Sequence, residues 1–170
     1  AAGIVLAWAS SSLRKTASWA IPLAVLSLAL AFLARRPPWD PLLMTAGMYQ
    51  YVTQFNDHSE SGIQSYAVDK YRLLFYEEGL SSVVTVAQNT DSENIWLANN
   101  GKVDASTSVD MPTQVLVAHL PYAFKPKPDN VLVIGLASGV TAGSVSLHEA
   151  PSHIDVVELE PAIVEASHIF

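Results

Sequence analysis

Apolar and polar positions change rhythm along the chain, and each change predicts a different kind of element. Ser18–Ala34 (SWAIPLAVLSLALAFLA) is a run of seventeen residues without a charge, stopped by Arg35–Arg36. That is the short end of the roughly 17–25 residues that cross a hydrocarbon core. Trp19 and Trp39 stand near its ends, where indoles favour an interface. Ala1–Trp8 reads as the tail of an earlier span, joined through the polar stretch 10–18. Residues 1–39 are therefore expected to be transmembrane, with the domain after them facing the cytoplasm. The chain begins inside one apolar run and stops inside another pattern, which reads as a piece of something longer.

From Trp39 to Asn56 the sequence is aromatic-rich without a clear period, and His58–Gly62 reads as a polar loop. A period-2 pattern follows, predicting strands over Arg72–Glu77, Ser81–Gln88, Asn94–Ala98 and Val103–Ser106. Asn99-Asn100-Gly101 between the last two is a hairpin signal, because Asn-Gly tolerates the positive φ of a tight turn. Asp110 reads as an N-cap, with Pro112 in the first turn of a helix to about His119. After Asn130 the rhythm changes again. Val131–Ile134 is a short apolar run suited to a parallel strand buried on both faces. A glycine-rich turn and a helix to about His148 follow, then a strand over Ile154–Glu158, and a helix over Ala162–Phe170. The fold class is α/β: a membrane helix, a small antiparallel β-domain over 40–122 with a linking helix, then over 123–170 the first βαβ unit of a Rossmann-like domain.

Charge sharpens the division. The net charge is −7, yet residues 1–39 hold four cations and no acid, while 40–170 carry all sixteen acids against five Lys and Arg. So acidic a segment is a poor nucleic-acid binder, since phosphate neutralisation needs clustered cations. It suits cationic small substrates. Zero cysteines remove disulfides, thiolate zinc sites and Cys nucleophiles. No Gly-x-Ser-x-Gly elbow is present, so Ser138 is not read as a hydrolase nucleophile. His148 and His153 are read as solvated or capping residues, His119 as packing at a helix end, and no metal site is expected. Tyr49, Tyr51 and Tyr66 are read as core or interface.

The chemistry concentrates in Val131–Glu158. Gly135 and Gly139 allow a tight turn and close approach of backbone to a ligand. Glu158 ends the second strand 23 residues after Gly135, where a carboxylate can accept from two ribose hydroxyls. The spacing is not G-x-G-x-x-G, which disfavours a dinucleotide and suits an adenosyl-sulfonium compound with no pyrophosphate. Asp104 and Asp110 are candidate acids for a cationic substrate, with a turn residue and an N-cap as their plainer readings.

Taken in order, Tyr76-Glu-Glu-Gly-Leu-Ser-Ser-Val-Val-Thr-Val, Asn100-Gly-Lys-Val-Asp-Ala-Ser, Asp110-Met-Pro-Thr-Gln114, Ala118-His-Leu-Pro121, Val131-Leu-Val-Ile-Gly-Leu-Ala-Ser-Gly and Val157-Glu-Leu-Glu160 resemble the spermidine synthase family. The likeness is to its long members, in which a multi-span membrane region precedes the polyamine aminopropyltransferase domain. The resemblance implies a transferase that moves an aminopropyl group from decarboxylated S-adenosylmethionine, its co-substrate, to a diamine such as putrescine. By position, Gln114, Gly135, Ser138, Gly139 and Glu158 would bind the nucleoside, and Asp110 would face the diamine. Ser138 stands where the family places an Asp that grips the aminopropyl ammonium, Thr113-Gln114-Val115 replaces a Tyr-Gln-Glu triplet, and a family Gln falls at about Ser82. The family's catalytic aspartate would lie beyond Phe170, so residues 1–170 by themselves are expected to be inactive. Two further readings stay open: an S-adenosylmethionine-dependent methyltransferase, and a non-catalytic nucleoside- or polyamine-sensing module of a membrane protein. A homo-oligomer is compatible with all three.

Overall fold

The computed structural model describes residues 21–34, 39–54 and 56–170. The chain divides into two compact units, residues 1–40 and residues 41–170. In the first, residues 21–34 form a helix, α1, with its side chains exposed.

The membrane expectation is corrected here. Among the described residues no helix is long and apolar enough to cross a membrane. An integral-membrane assignment and the cytoplasmic placement drawn from it therefore fall. Ala1–Trp8, Ser18–Ala20 and Arg35–Arg36, which carried the rest of that expectation, lie outside the described residues.

The second unit opens with short helices: α2 (Pro41–Met44), α3 (Met48–Tyr51), a 3₁₀ turn (Val52–Gln54) and α4 (Glu60–Ala67). The expected loop at His58–Gly62 is the start of α4. Ser59 is its N-cap, accepting the Gly62 N–H at 3.1 Å, which is what a hydroxyl just ahead of a helix does for the orphan donors of the first turn.

Four strands follow as an antiparallel meander in the order β1 (Tyr71–Glu78), β2 (Val83–Asn89), β3 (Ile95–Asn99) and β4 (Lys102–Ser106). Each expected strand is present within a residue or two. Asn99 pairs with Lys102, so Asn100-Gly101 is a two-residue loop, and both residues have positive φ, 49° and 79°. The sheet departs from regularity at two bulges, between Leu73 and Phe75 and between Leu97 and Ala98.

Helix α5 (Met111–Phe124) has Asp110 at its N-cap position and Pro112 in its first turn. It runs a full turn past the expected end, through Pro121. A proline inside a helix lacks one donor and crowds the preceding turn. Here the end is still closed, by the Lys125 N–H on the Pro121 carbonyl at 2.9 Å. The parallel unit comes last: β5 (Asn130–Ile134), α6 (Val140–Ser146), β6 (His153–Val157) and α7 (Pro161–Ser167). Strands β5 and β6 pair in parallel from Asn130↔His153 to Ile134↔Val157.

Two cores hold these pieces. Val84, Val86, Leu97 and Ala105 on one sheet face cluster with Ala162, Ile163 and Ala166 of α7. Thus the helix after the parallel pair packs on the antiparallel sheet. A smaller cluster joins Ala118 of α5 to Val133 and Val145, with Val131 and Ile154 against it. Strand β5 is covered on that face alone. Leu132 and Ile134 on the other are exposed, contrary to the expected burial on both faces, because no described element lies over them.

The sheet's opposite face meets the 41–67 segment. Tyr51 Oη accepts the Val103 N–H at 3.2 Å, and Gly47 abuts the Asn100-Gly101 turn. A Cβ on Gly47 would stand 2.1 Å from the Gly101 carbonyl oxygen, and its φ is +63°. Gly47→Ala is therefore expected to cost about 1–3 kcal/mol, the usual range for overpacking. A urea midpoint equal to that of the unmodified chain would show the contact to be slack.

Candidate functional site

The turn after β5 is shaped by backbone strain rather than by crowding. Gly135 and Gly139 have φ of 87° and 79°, and Ala137 between them has φ 47°. A Cβ on Gly135 would meet nothing within 4 Å. Glycine is thus required there by conformation, and the space beside it is open to a ligand. Ala137 carries left-handed strain that non-glycine residues seldom adopt, a feature concentrated at binding turns.

Glu158, just past the end of β6, is fixed to this turn. Its Oε2 accepts the Leu136 N–H at 2.8 Å, and Oε1 accepts those of Leu159 at 2.8 Å and Glu160 at 3.0 Å. Burial pushes its carboxyl upward, but main-chain donors from Leu136, Glu160, Leu159 and Ala137 outweigh that and hold it below the ordinary 4.5. A carboxylate has about four acceptor positions. Two of them on Oε1 and one on Oε2 are taken by these donors, so the carboxylate is fixed in place by the turn.

Ser138 and Gln114 form the next contact. Ser138 is 6% exposed, and its hydroxyl donates to Gln114 Oε1 in a short bond. Gln114 Nε2 donates to the Ser106 carbonyl at 2.8 Å, and its own carbonyl accepts from Thr141 Oγ1 at 2.9 Å. The Ser138 side chain is therefore neutral, buried and already paired.

A groove of about 590 Å³ runs between α5 and the edge of β5. Gln114, Gly135, Leu136 and Ala137 line it, and so does Asp104. Asp104 forms an ion pair with Lys102 at 2.5 Å, one long cation and one acid at the rim. Asp110 does not join them. Its carboxylate accepts from Ser106 Oγ at 2.8 Å and opens on a different cavity, so it makes no side-chain cap on α5. Spacing alone had no means of separating these two acids.

Two residues missing from the candidate set bear on the site. Glu160 is 2% exposed and caps α7, accepting from Ala162 N at 3.3 Å. It also accepts from Ser81 N at 2.8 Å, Ser81 Oγ at 2.9 Å and Leu80 N at 3.3 Å. The Ser81 N–H is the main cause of a lowered carboxyl pKa; burial opposes it, and the Ser81 hydroxyl and the Ala162 and Leu80 N–H groups add to it. A second acid on the strand-end motif was the only sequence signal for it. His148 is not a solvated residue: its Nε2 lies 2.7 Å from His119 Nδ1, and its ring stacks on Tyr122 at 3.5 Å. His153 is exposed beside Asp155 at 3.0 Å. Among the described residues no three His, Asp or Glu side chains gather as a metal site.

Residues 111–170 match the family model described as Spermine/spermidine synthase domain, so the family likeness read from the sequence is borne out over that stretch. A polyamine aminopropyltransferase of Methanocaldococcus jannaschii is 41% identical over 51 residues, 30% of this chain and 17% of its own. A spermidine synthase of Coffea arabica is 26% identical over 107 residues, 63% of this chain and 34% of its own. The chain thus spans about a third or less of these relatives' length. The spermidine synthase structure from Thermotoga maritima superposes with a TM-score of 0.54 at 21% identity, over 58% of this chain and 34% of that one. A spermidine synthase in complex with the transition-state analogue AdoDATO gives the same TM-score and identity. Both show a shared fold.

The lowered carboxyls of Glu158 and Glu160 contribute to a pH dependence, beside Asp57, whose carboxyl the Ser59 N–H lowers. A carboxyl with a folded pKa below its unfolded value stabilises the fold above the unfolded value, and that contribution is lost as pH falls through the folded one. Thermal midpoints should be flat above about pH 5 and drop as the solution is acidified below 4.5. Replacing both residues, Glu158→Gln with Glu160→Gln, should flatten that acid limb. An equally steep fall in the double variant would place the acid sensitivity elsewhere.

Proposed function

We propose that this chain is part of a spermidine synthase-type aminopropyltransferase that takes decarboxylated S-adenosylmethionine and a diamine such as putrescine. The observation that carries the reading is Glu158, held ionised at the strand end against an open, positive-φ glycine turn. Those are the requirements of a nucleoside cradle: a fixed carboxylate for ribose hydroxyls, and backbone a ligand can approach. The polyamine aminopropyltransferases and spermidine synthases among the relatives support it.

In this reading the ribose hydroxyls meet the Glu158 carboxylate, and Gly135 and Gly139 keep the turn clear. Gln114 and Ser138 form the neutral wall, the amide being locked at both ends. The residues 123–170 then act as the nucleoside-binding part and 40–122 as the acceptor-facing part. The transfer is a displacement. The amine lone pair forms a bond to the carbon beside the sulfonium, the carbon–sulfur bond breaks, and sulfur keeps the pair, leaving methylthioadenosine. The amine must arrive deprotonated and aligned, so positioning supplies much of the catalysis. Asp104 is the acid in the groove, and it serves the distal ammonium of the diamine.

Ser138 is the observation that favours ordinary S-adenosylmethionine instead, since a buried, paired hydroxyl offers no charge to an aminopropyl ammonium. Calorimetry with both nucleosides separates the readings. Tighter binding of the decarboxylated form, together with methylthioadenosine release in the presence of putrescine by the native protein carrying this sequence, is the expected result. Preference for S-adenosylmethionine with methyl transfer would replace it. Glu158→Gln should weaken nucleoside binding about 10- to 150-fold, the worth of a hydrogen bond to a charged group at roughly 1.5–3 kcal/mol. Undiminished affinity would remove Glu158 from the cradle. Asp104→Asn should raise the diamine KM about tenfold or more and leave nucleoside affinity unchanged. A change in nucleoside affinity with an unaltered KM would contradict the assignment.

A further inference from the structure

Two imidazoles meet across the seam between α5 and the end of α6. His119 Nδ1, on α5, lies 2.7 Å from Nε2 of His148, which stands just past α6. Both rings are half-buried. Among the described residues neither outward nitrogen, His119 Nε2 or His148 Nδ1, has a protein partner.

A hydrogen bond between the two facing nitrogens needs a proton on one of them and a lone pair on the other. A neutral imidazole carries its proton on either nitrogen, and here no bond to the outward nitrogens fixes which. Both rings can therefore hold their protons outward and turn two lone pairs to the same gap. That is how a pair of metal ligands converges, and imidazole suits zinc, copper and nickel. Zinc–nitrogen bonds of about 2.0–2.1 Å at a tetrahedral angle hold two nitrogens about 3.3 Å apart. The rings then part by about 0.6 Å from their present 2.7 Å. His148 lies in the connection after α6 and not within a helix, so side-chain and loop torsions supply that movement.

A third side chain points the same way. Tyr122, one turn after His119 on α5, lies flat on the His148 ring, with centroids 3.5 Å apart and planes at 4°. Its Oη is buried with no hydrogen-bond partner. A buried hydroxyl in that state is unfavourable, and a water on an ion held by the two histidines would give it one. An anion is the poorer guest. It would need both imidazoles protonated and facing each other, within residues 40–170 that hold sixteen acids against five Lys and Arg.

We propose that His119 Nδ1 and His148 Nε2 bind a divalent transition-metal ion such as zinc, with water in its remaining positions. Of the three residues only Tyr122 lines the groove at the glycine turn, so the site stands apart from the transfer reaction.

Calorimetry of the metal-free whole chain with ZnCl2 tests it, and saturable binding of one ion per chain is expected. His119→Gln and His148→Gln should each weaken binding about tenfold or more, since even the outer partners of metal ligands are worth that. His153→Gln, which removes the exposed pair with Asp155, should leave it unchanged. Because either of the first two variants also removes the bond between α5 and His148, a further measurement uses the unmodified chain. Electron paramagnetic resonance after one equivalent of CuCl2 should show two imidazole nitrogens on the copper. Absence of saturation, full affinity in both the His119 and His148 variants, loss of binding with His153→Gln, or fewer than two nitrogens on the copper would each overturn the proposal.

Discussion

The carboxylate of Glu160 is the point on which the rest of the second unit depends. It sits at the start of α7, where a negative group meets the orphan N–H groups of the first turn, and it reaches back to the β1–β2 hairpin at Leu80 and Ser81. One side chain therefore caps a helix and clamps a strand turn 79 residues earlier in the chain. Gly79 makes this approach feasible, since a Cβ there would stand 2.2 Å from Glu160 Oε1. With the clamp in place, Ala162, Ile163 and Ala166 face Val84, Val86 and Leu97, and the apolar core closes. Glu158 lies two residues before it on the same turn, so the clamp that docks α7 also places the candidate ribose ligand.

A second constraint acts beside the first. Asp110, Ser106, Gln114 and Ser138 are linked in sequence by hydrogen bonds, from the cavity beside Asp110 through β4 and α5 to the glycine turn. Ser106 and Ser138 are buried, and an unpaired polar group there would cost roughly 1–3 kcal/mol. That penalty is what holds the chain of contacts in one arrangement. It also fixes Gln114 as a wall rather than a mobile contact, because its amide has no end left to swing.

Local patterns were legible where the physics is local. Asn100-Gly101 announced its turn because few other residues accept two successive positive φ values. Gly135 and Gly139 announced a loop for the same reason, and alternation found all four antiparallel strands. The apolar run Ser18–Ala34 carried the membrane expectation, and among the described residues no helix is long and apolar enough to meet it. The polar stretch at His58–Gly62 hid a capped helix, since Ser59 and the exposed first turn of α4 are polar for capping reasons. Nothing periodic showed that α7 would pack on the antiparallel sheet. That contact links residues some 80 positions apart and is written only in Gly79, a glycine that looks like ordinary turn punctuation.

The acids show most directly why spacing could not give the site. Asp104 and Ser106 are two apart on a strand, so regular pleating would point both to one face. Leu97 pairs with Ala105 and Ala98 with Val103, which leaves Asp104 as the extra residue of a bulge. A bulge bends its strand and re-aims the side chain it carries. Asp104 consequently lines the groove with Gln114 and Gly135, while Ser106 and its partner Asp110 line the other cavity. Without the bulge the register would slip by one, and a one-residue slip exchanges faces for everything beyond it. A single irregularity in the β3–β4 ladder thus assigns one acid to each cavity, and that irregularity leaves no mark in the pattern of hydrophobic and polar residues.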